Sequence, residues 1–382
     1  MEAKSATIQA PVLFFSRGAS RCIACSASRV RLTLRVHRSR RMSDLTFGLF
    51  VRGQYHAGDD MRQRFEEVKA QVRLADQLGF SDLLTGMHYA AAPLQQYQLI
   101  PLLARLLAET ERMRIITGII LLSLHKPLDI AEQLATLDVM SGGRLVFGAG
   151  LGYRDVEFKA FGTTAHERVQ RLEENLLAIK RLWTENDVSM KGSHFELDRA
   201  TVSLKPIQRP HPPIWLGANA DAAVRRAARL ADTWFINPHQ RMDTIERQLS
   251  LYKQALAELG KPMPDELPLM REIFVARTRA EAVRLARPYL EEKYKVYQQW
   301  GQQKAMPKGD DDLSLDFDEL TRDRFLLGSS DEVAEQIVGY NRRLGVNRMI
   351  LSVHWVGIPH SQVVDTLNLF AAEVMPKVAQ AV

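Results

Sequence analysis

From Leu45 onward, short apolar or β-branched runs alternate with longer stretches whose apolar residues recur every three or four positions. These two periods separate buried strands from amphipathic helices. The first run covers 45–51. A helix follows over roughly 61–78, its apolar face marked by Phe65, Val68, Val72, Leu74, Ala75 and Leu78, with Gly79 as its stop. Further strands are predicted near 82–87, 114–122 and 145–149, with helices at 97–109 and 128–140 between them. A helix at 166–183 and a polar, hairpin-like piece at 188–197 come next. The prolines between Pro206 and Pro213 exclude a helix and lead in extended form into a strand at 214–217. Strands at 233–237, 270–276 and 349–353 then alternate with helices at 220–231, 242–259, 280–300 and 330–344. The last helix spans 360–378, and the polar stretch 301–321 is the longest expected loop.

Eight strands, each followed by helix, over about 340 residues predict an α/β fold, a (β/α)8 TIM barrel with insertions. An open doubly wound sheet is the alternative. The helix at 97–109 carries Leu99, Leu102, Leu103, Leu106 and Leu107, more apolar surface than one-sided packing requires, and reads as a subunit contact.

Composition narrows this only slightly. The chain is 46% hydrophobic and 25% charged, which suits a globular protein with a sizeable core. No apolar run approaches the roughly 20 residues that span a bilayer, so no membrane association is expected. The net charge of +6 is unevenly spread: residues 1–41 hold Lys4 and eight arginines against Glu2 alone, leaving residues 42–382 slightly acidic. A nucleic-acid partner is therefore not indicated. The basic leader, 1–41, is expected to lie outside a single domain at 42–382, either as a spurious or dispensable extension before Met42 or as a targeting peptide. Both cysteines, Cys22 and Cys25, fall in it and make no zinc site without further ligands. A cysteine-free body suits a reducing compartment, hence a cytoplasmic protein.

In such a barrel the active site forms at the strand C-termini. Those ends read Arg52, Met87-His88-Tyr89, Thr117-Gly118-Ile119, Gly150-Leu151-Gly152-Tyr153, Gly217-Ala218-Asn219, Asn237-Pro238-His239, Arg277 and His354-Trp355. They are rich in glycine, aromatics and histidine and contain no carboxylate; Asp155, Glu157 and Asp221 lie close behind but are thinly spread. Metal and glycosidase sites want converging acids, so neither is expected. Gly148, Gly150 and Gly152 keep bulk off a strand end where a flat ligand could lie. Gly118 suggests a bulge, close ligand approach or packing against a neighbour. Gly217-Ala218-Asn219-Ala220 precedes a helix, whose first amides favour a phosphate unless Asn219 simply caps it. His88 is the acid–base candidate, weighed against a purely structural histidine. Nothing of the dinucleotide fingerprint is present.

Ala131–Asp138 before Ser141-Gly142-Gly143-Arg144, Gly150-x-Gly152-Tyr153 with Glu157-Phe158 and Phe161-Gly162, Arg168 and Glu174, Leu182-Trp183, Gln208-x-Pro210-His211-Pro212-Pro213-Ile214-Trp215 and Ala227–Asp232 follow one another in order. In that order they resemble the bacterial luciferase-like family of flavin-dependent monooxygenases and oxidoreductases. The resemblance implies a TIM barrel, commonly a homodimer, binding reduced FMN or a 5-deazaflavin at the strand C-termini. By position His88, eight residues after Phe80, matches the active-site histidine, and Gly118-Ile119 the site of a non-prolyl cis peptide beneath the flavin ring. Thr117, Gly152, Tyr153 and Gly217 accompany them, Ala218, Asn219 and Ala220 match phosphate contacts, and 290–325 matches a mobile lid. Leu151 stands where FMN-binding members often place arginine, and Gly86-Met87-His88-Tyr89 replaces an acidic, double-histidine run, so bioluminescence is not expected. The implied function is a monooxygenase using reduced FMN, supplied by a separate flavin reductase, and O2 on a small organic substrate. Tyr153 and Trp355 would shape the pocket. A deazaflavin-dependent hydride transferase and a non-catalytic flavin-binding barrel are the alternatives.

Overall fold

The computed structural model describes residues 45–382; the expected leader, 1–41, with Cys22 and Cys25, lies outside the described residues. Eight parallel strands fall where the apolar runs place them: β1 Thr46–Val51, β2 Asp82–Thr85, β3 Arg114–Thr117, β4 Leu145–Gly150, β5 Ile214–Gly217, β6 Thr233–Phe235, β7 Pro268–Val275 and β8 Arg348–Ser352. Their order in the sheet is β6-β5-β4-β3-β2-β1-β8-β7, so the first and last strands of the chain are neighbours, Leu49 opposite Leu351. Just beyond β6 an isolated parallel bridge joins Ile236 to Leu269 of β7, the Ile236 N–H donating to Pro268 O at 2.9 Å.

Burial on both faces explains why these strands read as continuous apolar runs and not as alternating ones. One face packs beneath the helices in the large core, which takes Leu49, Leu83, Ile115 and Leu351 from the strands and Val68, Val72, Ile179 and Ile337 from the helices. The other face forms a separate cluster with one side chain from each of the eight strands: Phe50, Leu84, Ile116, Val146, Trp215, Phe235, Met270 and Ile350, with Ile119 against them.

The differences from the sequence reading are local. The third strand stops at Thr117, passes through a cis Gly118-Ile119 peptide and resumes at Ile120–Leu121, paired with Ala149 and Gly150 of β4. Phe325–Gly328 adds an unforeseen strand along the C-terminal half of β7. Gln54–His56 pairs with Leu94–Gln96 in a small ribbon too polar to announce itself. The expected hairpin is present as Val188–Lys191 and Glu196–Ala200. The helix expected at 97–109 runs Leu99–Leu106 before a 3-10 turn, and Leu99, Leu102, Leu103 and Leu106 are buried in the chain's own core. This corrects their assignment to a subunit contact: intramolecular packing already uses that apolar surface. The expected loop 301–321 contains the 3-10 turn Gln302–Ala305 and the short helix Phe317–Thr321. Among the described residues no helix is long and apolar enough to cross a membrane.

The N-terminal ends of the strands are closed by charge. Asp82, fully buried at the start of β2, accepts from Arg114 Nε at 2.8 Å and from Arg348, and both arginines reach on to Glu266. Burial alone would raise the Asp82 pKa, but Arg114 and Arg348 outweigh it and hold the carboxyl below its usual range. Asp82→Asn leaves two arginines facing a neutral amide, and urea denaturation near neutral pH should show a loss of about 3–5 kcal/mol. Because the folded-state pKa is depressed, this stabilisation exists above the unfolded carboxyl pKa and disappears as pH falls through the folded one. The gap between wild type and variant should therefore close on acidification, and a gap unchanged at pH 3 would refute the assignment.

Candidate active site

At the C-terminal ends of the strands lies a cavity of about 290 Å3. His88, Gly118, Ile119, Gly152 and Tyr153 line it, as do Gly217, Ala218, Asn219 and Ala220. Of the residues matched to the catalytic and cofactor-binding positions, all but Thr117 line this one cavity. That side chain is fully buried below the cavity, its hydroxyl donating to Gly148 O and accepting from Gly148 N–H, both at 2.8 Å. Trp355 is likewise not a pocket wall: it is buried, with its indole N–H donating to Glu272 Oε2 at 2.6 Å.

The glycines are explained by the chain itself before any ligand is considered. A Cβ on Gly148 would stand 1.9 Å from Thr117 O, and one on Gly150 2.0 Å from Ile119 Cδ1. Gly118 is packed against Leu84, whose side chain a Cβ would meet at 2.1 Å. The β3 end crosses so close to β4 that only main chain fits, and Ile119 fills the space over Gly150 and Gly217 while facing the cavity. Gly148 and Gly150 therefore make room for the neighbouring strand and not directly for a ligand. Gly152, at φ +75°, lines the cavity itself.

His88 is held by a carboxylate that the strand ends did not reveal. Its Nδ1 lies 3.0 Å from Glu157 Oε1, which also accepts from the Tyr89 N–H at 2.9 Å and faces Arg154 Nη1 at 3.4 Å. A carboxylate only accepts, so Nδ1 carries a proton, and whenever the ring is neutral Nε2 is the nitrogen left as an acceptor. Arg154 fixes the loop by donating to Tyr89 O at 2.7 Å and Ala90 O at 3.0 Å.

The segment expected as a lid covers this corner. The helix Arg279–Gln299 ends at Trp300, whose ring lies 5.1 Å from His88 and stacks on Tyr297, with the Arg154 guanidinium 4.2 Å from its centroid. Gln302, Lys304, Ala305 and Met306 of the same segment also line the cavity. Asn219 does not cap the following helix, whose N-cap is Ala220 with no side-chain bond; its Nδ2 donates to Ala305 O at 3.1 Å.

Sequence reasoning named Arg52 at the end of β1 but missed the buried group it joins beside the cavity. Arg52 donates to Tyr297 Oη at 2.6 Å, to Ser352 Oγ at 3.0 Å and to Glu272 Oε1 at 3.1 Å, and Lys293 also bonds Glu272. Burial pushes the Glu272 carboxyl up, yet Lys293 and Arg52 hold it below its usual range; burial and Arg52 push the Lys293 ammonium down. The available signal was Arg271-Glu272 inside an otherwise apolar parallel strand. Among the described residues no cluster of three or more His, Cys, Asp or Glu side chains is placed to hold a metal.

A parallel α/β sheet whose strand C-termini open on a covered cavity with an oriented histidine is an enzyme architecture. The sequence profile described as luciferase-like monooxygenase matches residues 45–348, and the chain belongs to that family, as an enzyme of the luciferase-like class. It is 28% identical over 327 residues to the FMNH(2)-dependent dimethylsulfone monooxygenase of Pseudomonas putida, covering 81% of this chain and 86% of that one. Its fold is similar to the crystal structure of monooxygenase RslO1 from Streptomyces bottropensis, with TM-score 0.77 and 28% identity over 87% of this chain and 99% of that one. An F420-dependent secondary alcohol dehydrogenase shares the fold at TM-score 0.72 and 19% identity, covering 88% of this chain and 99% of that chain.

Two outcomes test this geometry. Gly148→Ala drives a methyl into a backbone carbonyl that cannot rotate away, so the variant should lose several kcal/mol of stability, about the scale of severe overpacking, or fail to accumulate folded. In long-range 1H–15N correlation spectra His88 should carry its proton on Nδ1, and Glu157→Gln should shift the ring toward a mixture of tautomers. A wild-type ring protonated on Nε2 alone would contradict the assigned roles.

Proposed function

We propose that this enzyme is a monooxygenase that uses reduced FMN and O2 to oxygenate a small organic substrate. The observation that carries the reading is the single cavity that joins a main-chain floor at Gly118-Ile119 and Gly152 to His88 and the Trp300 segment. Reduced FMN, when bound, supplies the electrons that activate O2. The residues fit such a group: the Tyr153 hydroxyl is buried without a hydrogen-bond partner, and burial keeps it protonated, as a donor for a ligand. The helix Asp221–Leu230 starts without a side-chain cap directly after Ala218–Ala220, which line the cavity, and Arg168 and Lys304 stand in the lining where Leu151 provides no cation. Asp221, in the same first turn, is occupied by Arg247 at 2.7 Å. His88 presents Nε2 as a proton acceptor, Glu157 positions it, and Trp300 with Tyr297 keeps water from that corner.

The sheet, on this reading, closes into a (β/α)8 barrel; the Ile236–Leu269 bridge and the inner cluster with one residue from each strand support closure. Residues 42–382 would act as one domain, since one core draws on residues from Phe47 to Val378. A homodimer, a separate flavin reductase and a cytoplasmic setting complete the proposal; exposed Leu128 and Val139 on the helix Pro127–Met140 support a subunit contact away from the buried leucines. Leu151 favours a second reading, a deazaflavin-dependent hydride transfer without O2.

Anaerobic titration discriminates these readings. Reduced FMN should bind much more tightly than reduced riboflavin, and Arg168→Ala or Lys304→Ala should each remove about 10-fold or more of that difference, the scale of a charged hydrogen bond. Admitting O2 to the loaded enzyme should then consume oxygen, and His88→Ala should slow substrate turnover by about 100-fold. Bleaching of a bound deazaflavin by an alcohol without oxygen uptake would replace this reading with the second one.

A further inference from the structure

We infer that the side of the cavity formed by β7, β8 and β1 is a subsite for an anionic oxygen head group on the substrate, a carboxylate, sulfonate or sulfinate, received by Lys293 and Arg52. This rests on the flavin reading only in assigning the β3–β5 side to the cofactor.

The cavity is lined by four basic side chains, Arg52, Arg168, Lys293 and Lys304, and among the described residues no aspartate or glutamate lines it. The four divide by position. Lys304 adjoins Ala305, which is tied to Asn219 after β5, and Arg168 opens the helix that follows β4 and its loop. Arg52 follows β1, and Lys293 reaches Glu272 of β7 from the helix Arg279–Gln299. In the strand order these sites fall in different halves of the sheet, with His88, after β2, between them.

On the β7–β8–β1 side the charges do not balance. Arg52 and Lys293, with side chains only 5% and 1% exposed, share the single carboxylate of Glu272, which sits behind them and also accepts from Trp355. The nearby Arg271 adds another positive charge, compensated only by Tyr340 and the carbonyls of Asn237, Met270 and Gln240. His239 lines the cavity too, and burial first, then the Lys293 charge, push its pKa well down, so it stays neutral and offers no counter-charge. Burial and Arg52 push the Lys293 ammonium down to about 7, and a ligand carrying the missing counter-charge would hold it protonated and offset the cost of the buried charge.

The donor inventory agrees with an oxyanion. Lys293 has three N–H groups and one protein acceptor, Glu272, which leaves two, while the faces of Tyr294 and Tyr297 hold the ammonium at 4.6 and 5.3 Å. Arg52 spends its donors on His354 O, Tyr297, Glu272 and Ser352 and keeps one on Nη1. Three unused N–H groups on residues that line the cavity, beside an apolar wall containing Phe50 and Met270, suit a small organic anion and penalise its neutral amide.

The test is calorimetric titration of the full chain loaded with FMN, with methanesulfonate and acetate set against methanesulfonamide and acetamide. The anions should bind at least about 10-fold more tightly than the amides in wild type, the lower end for a charge-assisted contact. Lys293→Met should bring the two classes within about 2-fold while the affinity for FMN changes by less than that. The better of the two anions identifies the head group. Wild type that binds amides and anions alike overturns the subsite, and so does Lys293→Met that weakens FMN while the anion preference persists. If Lys293→Met does not fold, Lys293→Gln repeats the measurement, and the wild-type comparison stands without either variant. Failure to bind FMN at all would refute the flavin reading instead; the subsite is then judged by the same anion–amide comparison in the Arg168→Ala/Lys304→Ala chain.

Discussion

The arrangement of the site depends on how closely the end of β3 crosses β4. Thr117 O stands where a Gly148 side chain would begin, and the Thr117 hydroxyl is bonded to both polar groups of the Gly148 main chain. That clasp fixes where Gly118 and Ile119 leave the strand. Ile119 then rests over Gly150 and Gly217 and presents its outer side to the cavity. The floor shared by three strands follows from one steric condition and two hydrogen bonds, and it is set by the apolar interior beneath it, where Leu84 packs on Gly118.

Charge is distributed with comparable economy. At the N-terminal ends of the strands Asp82 sits between Arg114 and Arg348, with Glu266 closing the group. At the C-terminal ends the carboxylates stand one layer behind the cavity: Glu157 behind His88, Glu272 behind Arg52 and Lys293. Acids that do not touch the cavity still set its chemistry, one by choosing a tautomer and the other by holding two cations together.

Most of the fold was legible because its strands are buried on both faces, so that Phe47–Val51 or Met349–Ser352 reads as strand without any partner in view. The ends of the strands were legible as well, since glycine and histidine there have few other reasons to occur together. What stayed hidden depends on tertiary placement. Glu157 looks like any acid in a first helical turn until the loop after β2 folds back onto it. Lys293 lies in a helix rich in Glu and Lys, where its sequence neighbours suggest a solvated face, and only packing against β7 buries it. The short strand Phe325–Gly328 follows a polar stretch and has no period of its own to declare it. Gly148 and Gly150 carried a real signal with a different cause, the close passage of another strand.

Of the five tryptophans, Trp183, Trp215, Trp234 and Trp355 are buried away from the cavity rim, and Trp300 alone is partly open to solvent. Its indole is pinned by Ala92 O at 3.2 Å, Tyr297, Arg154 and the imidazole. Displacement of that cover would strip the Arg154 cation and the imidazole from one indole, Tyr297 moving with it on the same helix, while the other four keep their surroundings. The native emission of that one indole would therefore report whether the cover over His88 stays in place.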